Sequence, residues 1–343
     1  YAVNILQYLF MYIGMILIIR YTQNIIYARF FYLLINVFAG LTIDAVAKRL
    51  FPNVKYKVEC SDVRIDGTKD LFVSKLVGIL YTSLTPFYLA VFVGTLQTSV
   101  YVVYNSVINI INNLINTALV APQNALGQII NSEKEKVKKT VMEYEYSALL
   151  ISSILLTSTI ALIIPFIRFY TADVNDINYI QPSVAILLVL IAATQLIHIP
   201  SGKCIELSGD FKTVKRIQLT TFVLLAVSSV VGASTSGLIG LLIARLLTNT
   251  ILAWMEISYA HKTIIKDSTG FGRILLLHVG FAAVLSAVEC SLLYNYQINL
   301  LKFMLLGLSV VVVNVLMFGL LSYTFFKPLM LHLIARFRSI VKL

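Results

Sequence analysis

The sequence predicts an all-α polytopic membrane protein with about ten transmembrane helices, and three observations predict this class. Of the 343 residues, 59% are hydrophobic and only 13% are charged, whereas a soluble domain is about half apolar and about a quarter charged. The apolar runs are long enough for helices to cross the hydrocarbon core, and they do not alternate as barrel strands do. The basic residues are concentrated in every second connecting segment.

The ten predicted helices follow from the length of the apolar runs, because a spanning helix needs about 20 mostly apolar residues. We predict them at 1–19, 25–47, 71–95, 99–122, 146–170, 179–200, 217–235, 237–258, 274–295 and 299–326. The stretch Asn131–Tyr146 mixes both charge signs and is predicted to form a short surface helix.

The distribution of Lys and Arg predicts the orientation of these helices. Basic segments follow the second, fourth, sixth, eighth and tenth helices, and Arg20 is the clear exception in the loops between them. By the positive-inside rule, both ends of the sequence and the 48–70 segment are expected to be cytoplasmic. We attribute the net charge of +11 to loops that face an anionic membrane leaflet, so membrane lipids are expected partners and nucleic acid is not.

The fourth predicted helix contains the most informative polar pattern. Asn105, Asn109, Asn112 and Asn116 recur at intervals of four, three and four residues, which places four carboxamides on one helix face. Amides suit sugar hydroxyls or a chain of waters, so this face predicts a water-filled cavity. Hydrogen bonding between packed helices is the structural alternative.

Other intramembrane polar residues are also candidates for a substrate site. Lys75 either extends to the membrane surface or meets an anionic headgroup at the mouth of a cavity, and Thr85 lies in the same helix. Pro86 should kink that helix and is a candidate hinge, although proline is common in membrane helices. Arg245 has either a structural partner or a role with substrate, and His198 is either hydrogen-bonded structure or a proton relay.

Enzyme motifs are absent from the sequence. It contains no HExxH, GxSxG or GxxxxGK[ST] pattern, and its three Cys are far apart. We therefore expect a protein that is not an enzyme and that needs no metal or cofactor. A membrane glycosyltransferase or polymerase would need a large outer loop with acidic or His residues, which the predicted short loops do not offer.

Five short motifs occur in order within 71–260. They are Tyr101-Val102-Val103-Tyr104-Asn105, Leu126-Gly127-Gln128, Glu143-Tyr144-Glu145-Tyr146, Ile164-Pro165-Phe166-Ile167 with Tyr170-Thr171, and Ser208-Gly209-Asp210-Phe211-Lys212-Thr213. Their order resembles the C-terminal part of the Wzx-type polysaccharide-biosynthesis flippases of the MATE-like superfamily. In that family the second motif is a turn that ends a helix.

The resemblance implies a domain organisation. Residues 1–50 would be the last two helices of an incomplete N-terminal lobe, and 51–70 a cytoplasmic inter-lobe loop. Residues 71–260 would be a complete six-helix C-terminal lobe, 271–326 two extra helices, and 327–343 a basic cytoplasmic tail. The resemblance implies four further helices upstream, and a sequence that begins at Tyr1 rather than Met agrees with this expectation.

The resemblance also implies a function. Such a protein would move a lipid-pyrophosphate-linked oligosaccharide across the bacterial inner membrane by alternating access, for O-antigen, capsule or exopolysaccharide synthesis. A polysaccharide polymerase and glycosyltransferases would be its partners. The family's intramembrane acid in the third helix is missing, because Leu84-Thr85-Pro86 stands there. A cation-coupled multidrug-type exporter is the alternative, with Glu256 and Glu289 as its only intramembrane acids, and a defective fragment is another.

Overall fold

The computed structural model describes residues 2–52, 67–130, 134–266, 270–294, 296 and 299–341. Within these ranges the chain is helical and no strand occurs. The helices are α1 (Ala2–Thr22), α2 (Ile25–Leu50), α3 (Thr68–Tyr88), α4 (Thr95–Ala118), α5 (Val120–Ile129), α6 (Lys134–Tyr170), α7 (Pro182–Leu207), α8 (Phe211–Tyr259), α9 (Gly270–Leu293), α10 (Leu300–Phe325) and α11 (Lys327–Val341). The predicted all-α class is confirmed.

Seven helical stretches in the described part are long and apolar enough to cross a membrane, so the chain is a multi-pass membrane protein. They are Ile25–Leu50, Thr68–Val93, Lys136–Tyr170, Pro182–Leu207, Phe211–Ile265, Phe271–Leu293 and Leu300–Phe325. A shorter apolar helix spans Leu6–Thr22, and α4 with its polar face is not among the seven. A helix lies at each of the ten predicted ranges, whereas ten membrane crossings stay a prediction.

The chain divides into two compact units, Tyr1–Arg64 and Ile65–Leu343. The first unit is the α1–α2 pair, in which the Gln7 side chain donates to Asn36 Oδ1 at 2.9 Å. The Asn24 side chain begins α2 by accepting from the backbone N–H of Ile26 at 2.9 Å. Most of the predicted inter-lobe loop, 53–66, lies outside the described residues, as do 1, 131–133 and 342–343.

The core of the second unit is built around α7. A buried row recurs every four residues, at Val184, Leu188, Ala192, Leu196 and Pro200, and this spacing forms one continuous helix face. Helices α4, α6 and α8 pack against α7, while α3 packs on α8 and both α9 and α10 pack on α6. The polar side chains described below are therefore held by rigid, mutually packed helices.

The α8 segment reverses direction in its middle. Ser236 and Gly237 leave the helical conformation, and Gly237 has φ 57° and ψ −131°, which favours glycine. The backbones of Gly232 and Gly240 come so close that a Cβ on Gly232 would lie 2.4 Å from the Gly240 carbonyl oxygen. The two arms, 211–235 and 238–259, therefore run side by side and match the separate seventh and eighth predicted helices.

The α3 helix is interrupted shortly after Pro86. Proline removes the backbone donor that would bond the Thr82 carbonyl, and the backbone then widens into a π-helical segment, Leu89–Val93. The Gly94 N–H donates to the Leu89 carbonyl, five residues earlier, at 3.0 Å, and Gly94 itself has φ 99°. The predicted irregularity at Pro86 thus lies beside a joint between α3 and α4.

Several basic segments meet at one end of the second unit, which we call the basic end. There Lys215 pairs with Asp70, and Lys75 pairs with Glu206 at 2.6 Å, which brings together the start of α3, the end of α7 and the start of α8. At the opposite end, the Tyr104 hydroxyl donates to the Tyr179 carbonyl at 2.9 Å. The loop 171–181, which is poor in Lys and Arg, therefore lies at the end opposite the basic segments near residues 70 and 203–216.

Two local expectations are wrong. Leu126-Gly127-Gln128 does not form a turn but lies inside α5, because glycine is tolerated in a helix when neighbouring residues favour it. The expected separate surface helix over Asn131–Tyr146 is, from Lys134 onward, the first part of the 37-residue α6. Its mixed charges extend a membrane helix instead of forming an independent element.

Candidate functional site

Arg245 is the centre of a buried polar cluster where α3, α4 and α8 converge. Its residue surface is only 8% exposed. Its Nη1 donates to Thr85 Oγ1 at 2.9 Å and to the Tyr101 hydroxyl at 3.4 Å. The second arm of α8 buries Leu241, Leu242 and Asn249 around the same face, which places the guanidinium inside the helix packing.

A second polar layer lies one helical turn away. The Tyr81 hydroxyl donates to Asn249 Oδ1, and both residues are buried. Asn249 follows Arg245 by four residues, just as Thr85 follows Tyr81, so both pairs join the same faces of α8 and α3. The Asn249 Nδ2 and the Arg245 Nε have no hydrogen-bond partner.

The cluster has an excess of positive charge. No carboxylate forms an ion pair with Arg245 in the described part of the chain, and only neutral hydroxyls accept from it. A guanidinium stays protonated in proteins, and a buried charge without a counter-ion costs several kcal/mol. The arrangement therefore favours an anionic group beside Arg245, which could also accept from the free Nε and the Asn249 amide.

The asparagine face of α4 lies next to its packed face. Tyr101, Tyr104, Ile108, Ile115 and Leu119 are buried against the rest of the second unit. At 100° per residue the asparagines are centred about 75° around the helix from this packed face. Asn105 and Asn112 are half-buried, whereas Asn109 and Asn116 are exposed.

The amides of this face are unpaired within the described residues. None of the four side chains forms a hydrogen bond with another helix there, and Asn112 Oδ1 is buried without a partner. The structural alternative, bonding between packed helices, is therefore not found in the part of the chain that the structure covers. Unpaired amides in hydrocarbon are costly, so the face needs water or a polar ligand.

The arginine cluster and the asparagine face are continuous. Tyr101, which accepts from Arg245, precedes Asn105 by one helical turn on α4. The rise from Tyr101 to Asn116 is about 22 Å at 1.5 Å per residue. A polar path therefore begins at a buried cation near the start of α4 and continues along most of the helix.

Lys75 lies apart from this cluster, at the basic end. Its Nζ is 2.6 Å from Glu206 Oε1, and Lys203 Nζ is 2.9 Å from the other oxygen of the same carboxylate. The Lys75 side chain is 56% exposed. Its charge is thus already shared with a carboxylate, unlike that of Arg245.

His198 also lies at the basic end and belongs to a different polar layer. Its Nδ1 is 2.7 Å from Glu256 Oε2. Nearby, Glu145 Oε1 is 2.9 Å from His261 Nε2 and accepts from the Ser201 hydroxyl at 3.0 Å. Two buried carboxylate–imidazole contacts therefore connect α6, α7 and the end of α8.

The structure brings together Thr85 and Arg245 among the predicted site residues, and places the four asparagines on the adjoining helix. It does not bring Lys75 or His198 to them. Sequence reasoning did not include Tyr81, Tyr101 or Asn249 in the site. Their helical spacing relative to Thr85 and Arg245 was visible, but the pairing of α3 and α4 with α8 over about 150 residues is set by tertiary packing.

No group of three or more His, Cys, Asp and Glu side chains is placed to hold a metal ion in the described ranges. The polar cluster offers donors and hydroxyl groups, which suit an anion. Comparisons of the chain with models of protein families, with curated proteins and with solved structures found no match. The cluster and the asparagine face are therefore interpreted from their own chemistry.

Proposed function

We propose that this protein is a flippase that moves a lipid-pyrophosphate-linked oligosaccharide across a cell membrane for surface-polysaccharide synthesis. The observation that carries the proposal is the amide face of α4, which is continuous with the buried Arg245; among the described residues these amides have no partner and Arg245 has no carboxylate. A sugar chain and a pyrophosphate group cannot cross hydrocarbon, whereas a polyprenyl tail can stay in lipid. The substrate thus needs one wet, cationic path and no covalent chemistry.

Arg245 would hold the pyrophosphate group. Its free Nε and the unpaired Asn249 Nδ2 are donors, and guanidinium matches the geometry of phosphate oxygens. The hydroxyls of Thr85 and Tyr101 keep the guanidinium oriented when no anion is bound.

The asparagine face would carry the sugars. Each amide offers two donors and two acceptor lone pairs, which can exchange water for sugar hydroxyls without a large energy change. A row of similar groups spaced along one helix favours movement, because no single position binds the ligand tightly.

The finer architecture belongs to this proposal. We propose a MATE-like lobe built from the six predicted helices of 71–260, followed by two extra helices, with the basic end at the cytoplasm. The substrate would enter at that end and leave at the other, and the enzymes that build and polymerise the saccharide would be the partners.

Substitution of Arg245 tests the proposal in cells whose surface polysaccharide depends on this protein. Loss of hydrogen bonds to a charged group costs about 1.5–3 kcal/mol. We therefore expect R245A to reduce export about tenfold to a hundredfold at unchanged protein level, with lipid-linked units accumulating inside. R245K should retain part of the activity because it keeps the charge.

R168A is the matched control, since the Arg168 guanidinium lies over the Tyr294 ring at 5.6 Å, away from the cluster. K75A should lose less export than R245A because Lys75 is paired with Glu206. Full export in both R245A and K75A would remove these cations from the route and count against the flippase.

A cation-coupled small-molecule exporter is the second candidate, and one observation favours it. Glu145 and Glu256 are buried carboxylates within reach of imidazoles, a chemistry suited to proton exchange. Resistance of cells to toxic organic cations distinguishes the two: an exporter raises resistance when produced, whereas a flippase changes surface polysaccharide alone.

A further inference from the structure

Glu289 is a buried carboxyl group in the α9 helix, away from the arginine cluster. Its residue surface is 8% exposed, and it lies within the candidate span Phe271–Leu293. Asn314, in the middle of α10 and fully buried, is its partner. Ser158 of α6 completes this group, so three helices meet at one carboxyl.

The Asn314 amide makes the one side-chain hydrogen bond to this carboxyl that the described residues contain. Asn314 Nδ2 donates to Glu289 Oε1 at 2.9 Å, and it is also 3.1 Å from Ser158 Oγ and 3.0 Å from the Val310 carbonyl. One oxygen of each partner is left without a donor: Glu289 Oε2 and Asn314 Oδ1 are buried acceptors with no hydrogen-bond partner.

The described groups that face this carboxyl carry no positive charge. From α6, Ser158 donates its hydroxyl to its own helix, at Ile154. From α9, the Cys290 thiol faces the Ile160 carbonyl of α6 at 3.5 Å, and from α10 only the neutral Asn314 faces the carboxyl. Among the described residues Glu289 has no Lys, Arg or His partner.

A proton on Glu289 Oε2 would give partners to both unpaired oxygens, because Oε2 would become a donor and Asn314 Oδ1 its acceptor. An ionised carboxylate at membrane depth costs at least about 2.5–3.5 kcal/mol and normally requires a partner. A protonated Oε2 is instead a donor, and the amide that already bonds Oε1 has its own oxygen free to accept. If the protonated Oε2 donates to that oxygen, each group donates once to the other and no acceptor of the pair is left unpaired.

We propose that Glu289 is a proton-binding site inside the membrane, held as the neutral acid by Asn314 between α6, α9 and α10. The site is independent of the flippase proposal, since its carboxyl and amide lie on the two helices beyond the predicted six-helix lobe and, among the described residues, neither bonds to Arg245 or the asparagine face. Its ligand is the proton, and a monovalent metal cation is an outcome that the test below separates.

Infrared difference spectroscopy of the full chain at pH 7 tests the site. The spectrum of the wild type minus that of E289Q isolates one carboxyl group among the 16 acidic residues. We expect E289Q to remove the C=O stretch of a protonated carboxyl, and added Na⁺ or K⁺ to leave that stretch in the wild type unchanged. E206Q is the control, because Glu206 lies between two lysines and should lose a carboxylate band.

N314L supplies a second readout that does not depend on how E289Q folds. Without the amide, the acid band should move toward that of a carboxyl group with no hydrogen bond. The proposal is overturned if E289Q removes a carboxylate band at pH 7, if N314L leaves the acid band in place, or if Na⁺ abolishes the acid band, which would indicate a cation site instead.

Discussion

Arg245 illustrates how a single residue depends on neutral neighbours inside a membrane. Two hydroxyls from two other helices solvate its guanidinium, and no carboxylate of the described residues balances it. The charge therefore remains available to a ligand, while the hydroxyls reduce the penalty of burying it. Removing the hydroxyl of Thr85 or Tyr101 should therefore lower the free energy of unfolding even without substrate.

We predict that T85V and Y101F each destabilise the protein by about 1–3 kcal/mol, because each leaves a buried charged donor without an acceptor. Thermal unfolding of the purified protein in detergent measures this loss. T82V is the matched control on the same helix, since the exposed Thr82 hydroxyl only bonds its own helix at Ile79. Equal unfolding temperatures for T85V and T82V would show that Thr85 does not stabilise Arg245.

Asp210 is the residue whose protonation should matter for stability. Burial raises its pKa, but hydrogen bonds from the Tyr259 hydroxyl at 2.5 Å and from Thr213 outweigh burial, so the pKa lies below its ordinary value. A lowered pKa means that the folded state prefers the carboxylate. This contribution is present above the ordinary pKa of about 3.9 and is lost as pH falls through the folded-state pKa.

We predict that D210N is less stable than the wild type at pH 7 by about 0.5–1.5 kcal/mol, because a neutral amide replaces the carboxylate that accepts from Tyr259 and Thr213. The difference should shrink when the pH falls below about 4. Unfolding temperatures measured at a series of pH values provide the test, with the exposed Asp173 replaced in D173N as control. A constant difference at all pH values would contradict the role of the carboxylate.

At the scale of the element, the reversal in α8 depends on glycine for two separate reasons. Gly237 supplies a positive φ, and Gly232 lets the two arms approach at Gly240. Both glycines are visible in the sequence. Only the packing of the two arms shows that one is needed for its backbone conformation and the other for the close contact.

We predict that G237A costs about 1–3 kcal/mol through backbone strain, and that G232A costs at least as much because its Cβ would overlap the Gly240 backbone. G280A is the control, since Gly280 lies in α9 with open space around its Cβ position and alanine favours a helix. Unfolding temperatures in detergent rank the three variants. A G232A protein as stable as G280A would rule out the close approach of the arms.

The polar face of α4 gives a second prediction at this scale. In a background without reactive cysteines, N109C and N116C should react quickly with a charged, membrane-impermeant thiol reagent, because a wet surface lies beside them. I110C and L114C, exposed on another face of α4, should react slowly because they contact lipid. Asparagine positions that resist the reagent from both sides of the membrane would exclude a wet path.

At the scale of the whole molecule, the helices were predictable because apolar length is a local property. Each of the ten predicted ranges contains a helix, and the division of 217–258 at Gly237 was visible as a break in the pattern. The clustering of basic segments at one end was also predictable from the sequence, since the number of helices between them is even. Family membership, substrate and orientation stay predictions.

The candidate site was only partly predictable. The sequence identifies Arg245 as an intramembrane charge and Thr85 as a candidate site residue, but their contact joins positions 160 residues apart. The partner of Lys75 was also not predictable from the sequence. Glu206 is 131 residues away, and nothing in the sequence distinguishes it from other acidic residues near loops. The sequence identifies polar residues within apolar helices that need a partner. Only the tertiary packing identifies the residues that pair with them.

The joint between α3 and α4 has a mechanical consequence. Helix α3 is bonded to α7 and α8 through Asp70, Lys75, Tyr81 and Thr85, so its first five turns cannot slide without breaking charged or buried bonds. These bonds from α3 end before the π-helical segment Leu89–Val93 begins. A tilt of α4 about this segment would have to break its bonds to Arg245 and Tyr179, and it would displace Asn116 farther than Asn105.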